Sequence, residues 1–407
     1  MGEREDESER SGLLIRDVRT ICTAPAGARL VVVKVETSEP GLYGLGCATF
    51  TQRAGAVVRA VDDYLRPLVV GRDPAAIEDL WQSGHLSGYW RGGPVLNNAL
   101  SGLDEALWDL KGKVAGMPLH DLLGGRVRQG APVYVHASGA SFEEVEDRVR
   151  ALQAEGYRYI RCQVAIPDSN NYGAGSVREA PFDEAGYLRT TPRLFDHLRS
   201  RLGDEVELLH DVHERVTPQA AIRLARELEP YRLFFFEDPF APEDLGWFRQ
   251  LRQQSAIPVA MGELFTSPAE YVPLIQDRLI DYVRMHISDV GGLTPARKIA
   301  ALCEFFGVRT AWHGPGDVSP VGHAANVHLD LATSNFGVQE WTVPPDLLRE
   351  VFPGMPEVRE GMAHPSGAPG LGVDLDEARA ARYPFPDDAL HGAWPPVRRW
   401  DGSIVRP

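Results

Sequence analysis

Three carboxylates, Asp211, Glu237 and Glu263, stand two equal steps of 26 residues apart, and each closes a short apolar run. The runs are Val206-Glu207-Leu208-Leu209-His210, Leu233-Phe234-Phe235-Phe236 and Pro258-Val259-Ala260-Met261-Gly262. One strand, one helix and two loops take about 25 to 30 residues, so the interval predicts successive βα units of a parallel barrel, whose strand ends converge on one face. Convergent acids repel and raise one another's proton affinity unless a cation neutralises them. An all-oxygen donor set selects a hard ion, Mg²⁺. A single acid at a strand end could equally cap the following helix, but three at one register favour a metal site.

Other residues in the same register could move protons. In His210-Asp211-Val212-His213-Glu214-Arg215, Asp211 and His213 share one side of an extended backbone, which would put an acid/base group beside a metal ligand. Trp312-His313-Gly314-Pro315-Gly316-Asp317 sets His313 in a tight turn, with Asp317 expected to orient its imidazole. Arg161 and Gln163 share a face of a second-strand candidate, and Tyr172 follows in a loop. A phenol with an ordinary pKa of about 10 can act as a base only beside a cation, which Arg161 would supply.

These groups need a scaffold of some size, and 407 residues suit a barrel with an added domain. Hydrophobic residues at 43% and charged ones at 24% describe a globular chain. A net charge of −15 excludes a strong basic footprint and disfavours nucleic acid as a partner. The four cysteines form no CxxC pair, so neither zinc nor a disulfide framework is indicated and a reducing cytoplasm fits. No apolar stretch reaches membrane-span length, and residues 1–12 read as a charged flexible tail.

Residues 13–130 read as an α+β unit. Alternation over Leu13 to Glu36, broken at Pro25-Ala26-Gly27, and over Tyr43 to Phe50 predicts a small antiparallel sheet. Helical spacing follows at Ala56–Leu65, Ala75–Trp81 and Asn97–Val114, the last with Leu100, Leu103, Leu107, Leu110 and Val114 on one face, and Gly124-Gly125 ends the unit. Residues 131–345 read as the barrel, with strand ends at His136, Arg161, Asp211, Glu237, Glu263, Arg284, His313 and Glu340, and a long loop from Pro167 to Leu188. Residues 346–407, rich in Pro and Gly and without helical period, are expected to pack back on the first unit.

The chain resembles the enolase superfamily, and within it the mannonate dehydratase group. The resemblance is carried by His210-Asp211-Val212-His213-Glu214-Arg215-Val216-Thr217-Pro218, Leu279-Ile280-Asp281-Tyr282-Val283-Arg284 and His313-Gly314-Pro315-Gly316-Asp317. Tyr89-Trp90-Arg91-Gly92-Gly93-Pro94, Ala106-Leu107-Trp108-Asp109-Leu110-Lys111-Gly112-Lys113 and Leu122-Leu123-Gly124-Gly125-Arg126 extend it through the first unit. It implies an α/β architecture, a modified TIM (β/α) barrel under an α+β capping domain, with Mg²⁺ on Asp211, Glu237 and Glu263. It further implies Tyr172 as base with Arg161, His213 as acid, and His136, Gln163, Arg284, His313, Asp317 and Glu340 facing the substrate. The implied reaction removes water from an aldonate, D-mannonate or alternatively D-gluconate, to give a 2-keto-3-deoxy sugar acid. A homologue that keeps the metal without turnover is the second reading. A racemase or cycloisomerase ranks last, because Arg161, Gln163 and Arg284 stand where a lysine base would be. The resemblance also implies a homo-oligomer, a tetramer or octamer. Three features depart from efficient members: Arg29, the Pro239 of Glu237-Asp238-Pro239, and an end, Trp400 to Pro407, without a final Trp.

Overall fold

The computed structural model describes residues 12–171, 177, 179–388, 392 and 396–406. Strands β1 (Ile15–Thr23), β2 (Leu30–Thr37) and β3 (Tyr43–Cys47) pair antiparallel in sequence order. The helix Pro94–Ala115 lies directly on β3. Glycine permits this approach: a Cβ on Gly44 would sit 1.9 Å from the Ala106 carbonyl oxygen, and one on Gly46 2.1 Å from that of Gly102. The face of Leu100, Leu103, Leu107 and Leu110 is buried, whereas Val114, one residue from the helix end, is 59% exposed.

The barrel strands are β4 (Ala131–Gly139), β5 (Tyr159–Val164), β6 (Glu207–Asp211), β7 (Phe235–Glu237), β8 (Val259–Met261), β9 (Tyr282–Val283), β10 (Arg309–Thr310) and β11 (Gln339–Glu340). They pair in parallel from β4 to β10, β11 pairs with β4, and a parallel bridge between Thr310 and Phe336 closes the ring. A helix separates each strand from the next, so the fold is the enolase-type barrel beside a capping sheet. Its interior is plugged by Tyr134, Leu209, Phe235, Ala260, Tyr282, Ala311 and Val338, one side chain from each of seven strands or the residues that extend them. Apolar side chains fill the space between strands and outer helices.

Two expectations change. The long loop ends earlier than Leu188, because Asp183 accepts a hydrogen bond from Gly186 N and starts the helix Glu184–Leu202. The segment after Trp341 is not structureless: it forms the helix Asp346–Val351 and a hairpin, β12 (Glu357–Arg359) with β13 (Met362–His364), and β13 extends the sheet at β4. Its Pro and Gly residues punctuate elements too short for a periodic signal. The remainder divides. Glu377 pairs with Arg19 and Lys34 of the capping sheet, while Arg398 O accepts from Phe182 N and Arg406 pairs with Asp244 of the barrel.

Polar side chains of the helix Pro94–Ala115 join the capping unit to the barrel. Asn97 Nδ2 donates to Thr266 O (2.9 Å) and Asp289 O (2.6 Å), and Asn98 Nδ2 donates to Asp289 Oδ1 (2.6 Å). Asp104 accepts from Thr294 N across the same seam, whereas Glu105, accepting from Cys47 N, and Asp109, from Leu45 N, tie the helix to β3 of its own unit, and Asp109 also accepts from Leu371 N of the C-terminal segment. Each bond satisfies a buried group. No helix among the described residues is long and apolar enough to cross a membrane.

Candidate active site

Asp211, Glu237 and Glu340 end their strands, Arg284 and Glu263 follow theirs by one and two residues, and His313 lies three beyond β10. His136 and Arg161 point inward from within β4 and β5. All of these meet at one end of the barrel. Asp211, Glu237 and Asp238 offer carboxylate oxygens within 4.8 Å of one another. Glu263 joins them through Arg284, which contacts Glu237 (2.8 Å), Asp238 (3.2 Å), Glu340 (2.6 Å) and Glu263 while donating Nε to Tyr134 Oη (2.8 Å). Arg161 Nη1 reaches Asp211 Oδ2 (2.8 Å) and Glu237 Oε1 (2.9 Å).

Burial pushes Asp211, Glu237 and Asp238 above the usual carboxylate range, against the pull of the two arginines. Burial acts the same way on Glu263, but Arg284, His313 and His213 prevail and hold it below that range. A cluster whose acids gather protons when buried is one that a divalent cation fits, because the cation takes the protons' place. The donors are all oxygen, as Mg²⁺ requires.

His213 Nε2 lies 3.0 Å from Asp211 Oδ2 and 3.6 Å from Glu263 Oε1. The neighbourhood is as expected, but its cause is not strand alternation: His213 and Glu214 both take φ of +50° and turn the chain. Burial pushes the imidazole down to about 4. His136 Nε2 stands 2.9 Å from Glu340 Oε1. Gln163 donates to the Asp211 carbonyl oxygen (3.3 Å), bracing that residue from behind. Asp317 does not orient His313. The His313 Nδ1 contacts His286 Nδ1 at 2.7 Å instead, and Asp317 Oδ1 is buried without a hydrogen-bond partner among the described residues. Tyr172 lies outside the described residues.

A cavity of about 640 Å³ opens over these groups, closed on the cap side by Thr49–Arg53. Arg29 is absent from its lining: its guanidinium donates to the carbonyls of Pro386 and Asp388. Trp400 sits at a hairpin turn, 80% exposed.

Sequence reasoning missed Asp238, Tyr134, His286, Glu214 and Asp289. Asp238 follows Glu237 directly, and alternation would turn it away, but a φ of +40° brings both carboxylates to the cluster. Glu214 and Asp289 line the cavity, and burial pushes both up to about 7. The Asp in His286-Ile287-Ser288-Asp289 carries no spacing signal of its own.

The pattern described as enolase C-terminal domain-like matches residues 144–379, and the mandelate racemase / muconate lactonizing enzyme N-terminal domain matches residues 13–124. A D-galactonate dehydratase family member of Salmonella enteritidis PT4 is 54% identical over 98% of this chain and 99% of its own. Another, from Pantoea ananatis, is 56% identical over 98% and 100%. The chain belongs to the D-galactonate dehydratase family of the enolase superfamily. Among solved structures, an enolase from Pantoea ananatis with bound D-gluconate and Mg superposes on this family member with a TM-score of 0.93 at 55% identity, covering 97% of this chain and 100% of the other. As a D-galactonate dehydratase family member the chain is a hydro-lyase whose cofactor is Mg²⁺.

Proposed function

We propose that this chain dehydrates an aldonic acid to a 2-keto-3-deoxy sugar acid by β-elimination. The observation that carries the reading is the junction of a buried oxygen-donor cluster, a histidine 3.0 Å from one of its acids, and a cavity large enough for a six-carbon acid. Asp211, Glu237 and Glu263 would hold Mg²⁺, with Asp238 beside them. Bound there, the ion supplies Lewis-acid stabilisation of the charge that builds on the substrate carboxylate as the α-proton leaves.

The proton leaves to Tyr172. Arg161 would supply the cation that favours the ionised form of the Tyr172 phenol. His213 delivers a proton to the departing 3-hydroxyl. Burial lowers the proton affinity of its imidazole, and a substrate carboxylate beside it would raise that affinity. His136, Arg284, His313, Asp317 and Glu340 position the substrate, and Gln163 steadies Asp211. The enol product ketonises to the 2-keto-3-deoxy acid.

D-Mannonate is the substrate proposed first. D-Gluconate is the second reading, favoured by the ligand of the Pantoea ananatis relative. The two differ only at C2, which becomes planar on loss of its proton, so both give one product. Purified protein with Mg²⁺ and each acid, assayed for 2-keto-3-deoxy product with and without EDTA, tests the reading: metal-dependent product supports it, and none from any aldonate sinks it. Self-association is supported by the exposed Tyr89–Trp90 pair, 80% and 82% accessible, and a cytoplasmic setting by four free cysteines. A monomer by light scattering would refute the first.

A further inference from the structure

The carboxylates of the cavity fall into two groups. Glu237, Asp238, Glu263 and Glu340 all contact Arg284. Glu214, Asp289 and Asp317 have no lysine, arginine or histidine within 4.0 Å among the described residues. They come from the turn after β6, the turn after β9 and the turn after β10, so they stand on different sides of one space. Two of them present oxygens that are buried and lack any hydrogen-bond partner among the described residues, Glu214 Oε2 and Asp317 Oδ1. Asp289 is held in place, with Oδ1 accepting from Asn98 and its backbone carbonyl from Asn97.

Buried acceptors of this kind need donors, and water-shielded carboxylates are expensive to leave unmatched. Two arginines at this end of the barrel are engaged elsewhere. Arg406 is paired with Asp244, and Arg53, the arginine that the capping unit adds to the lining, donates to the Gln52 carbonyl (2.7 Å). We propose that Glu214 and Asp289, together with Asp317, form an acceptor wall for the hydroxyl tail of the substrate and make the site selective for monocarboxylate over dicarboxylate sugar acids. A tail ending in a hydroxymethyl group brings an O–H donor to this wall. A tail ending in a carboxylate brings only acceptors and a like charge, which costs both the missing hydrogen bonds and direct repulsion. The inference rests on the aldonate reading for which end of the substrate meets the metal-site acids and Arg161.

D-Gluconate and D-glucarate differ only at C6, hydroxymethyl against carboxylate, and isolate the effect. Steady-state kinetics and calorimetric titration of both acids onto Mg²⁺-loaded protein would be run on wild type, Glu214→Gln, Asp289→Asn and the double variant. Both replacements keep shape, and Asp289→Asn retains the oxygen that Asn98 holds. Wild type is expected to prefer gluconate by about a hundredfold, and the double variant to narrow that gap at least about tenfold, through KM and Kd for glucarate rather than kcat. Equal handling of the two acids by wild type, binding of neither, or a parallel loss for both in the variants would overturn the proposal. Should neither acid give product while the Kd ratio follows the expected pattern, the acceptor wall stands and the dehydratase reading falls.

Discussion

Replacing Arg284 by Met exposes the balance on which the site depends. The guanidinium is fully buried and contacts four carboxylates, so its loss leaves an uncompensated negative cluster. Removing one partner of a buried ion pair costs about 3–5 kcal/mol, and the metal-free variant should lose at least that much. The same change removes a competitor for the cation. At an effective dielectric of about 20, a divalent ion roughly 6 Å from a guanidinium is repelled by about 5 kcal/mol, and recovering a quarter of that tightens Mg²⁺ about tenfold. Mg²⁺ at a hundredfold over its Kd then returns about 2.7 kcal/mol of stability. Urea denaturation in EDTA and in a Mg²⁺ series, with calorimetric titration of the metal, reads both quantities. Arg284→Lys retains the charge without the fork and is expected to keep wild-type Mg²⁺ affinity with a smaller stability loss. Unchanged metal affinity in Arg284→Met, or unchanged stability in EDTA, would refute the picture of arginines balancing a metal cluster.

Tyr172→Phe should lower turnover at least about a hundredfold with little change in KM, measured by product formation under saturating Mg²⁺; retained turnover would remove Tyr172 as the base. His213→Asn should cost about 10²–10⁴ in kcat while calorimetry still detects aldonate binding, and loss of binding alone would assign it a different role. Acid stability should follow two buried histidines that are not among the metal acids. Burial pushes His323 down to about 4 and His328 to about 3, so each is neutral when folded but takes up a proton near pH 6.5 when unfolded. Their contribution is therefore present above pH 6.5 and lost as pH falls from there toward 4, at about 1.4 kcal/mol per pH unit for each. His328→Asn should flatten that slope in a pH series of urea midpoints; an unchanged slope would contradict it.

The barrel and most of its site could be read in advance because both depend on period. Equal spacing of Asp211, Glu237 and Glu263 is a direct image of the βα repeat, and the resemblance added the partners at His136, Arg284 and Glu340. What escaped lies where the backbone abandons its period. Left-handed residues at His213, Glu214 and Asp238 re-aim neighbouring side chains, and no alternation rule anticipates them. His286 reaches His313 from the previous strand's loop, a pairing set by barrel closure alone. Tyr134 was hidden as core: its ring fills the barrel interior while its hydroxyl serves Arg284 and Glu237.

The seam along the helix Pro94–Ala115 limits how this enzyme can change. Apolar faces slide over one another at small cost, but a hydrogen bond tolerates a few tenths of an ångström before it weakens. Asn97, Asn98 and Asp104 thus act as indexing pins that register the roof of the cavity to its floor. A new specificity cannot be reached by rocking the cap over the barrel. It must come from exchanging side chains on a roof held at fixed height, and caps transplanted between relatives should work only when the pins travel with their sockets.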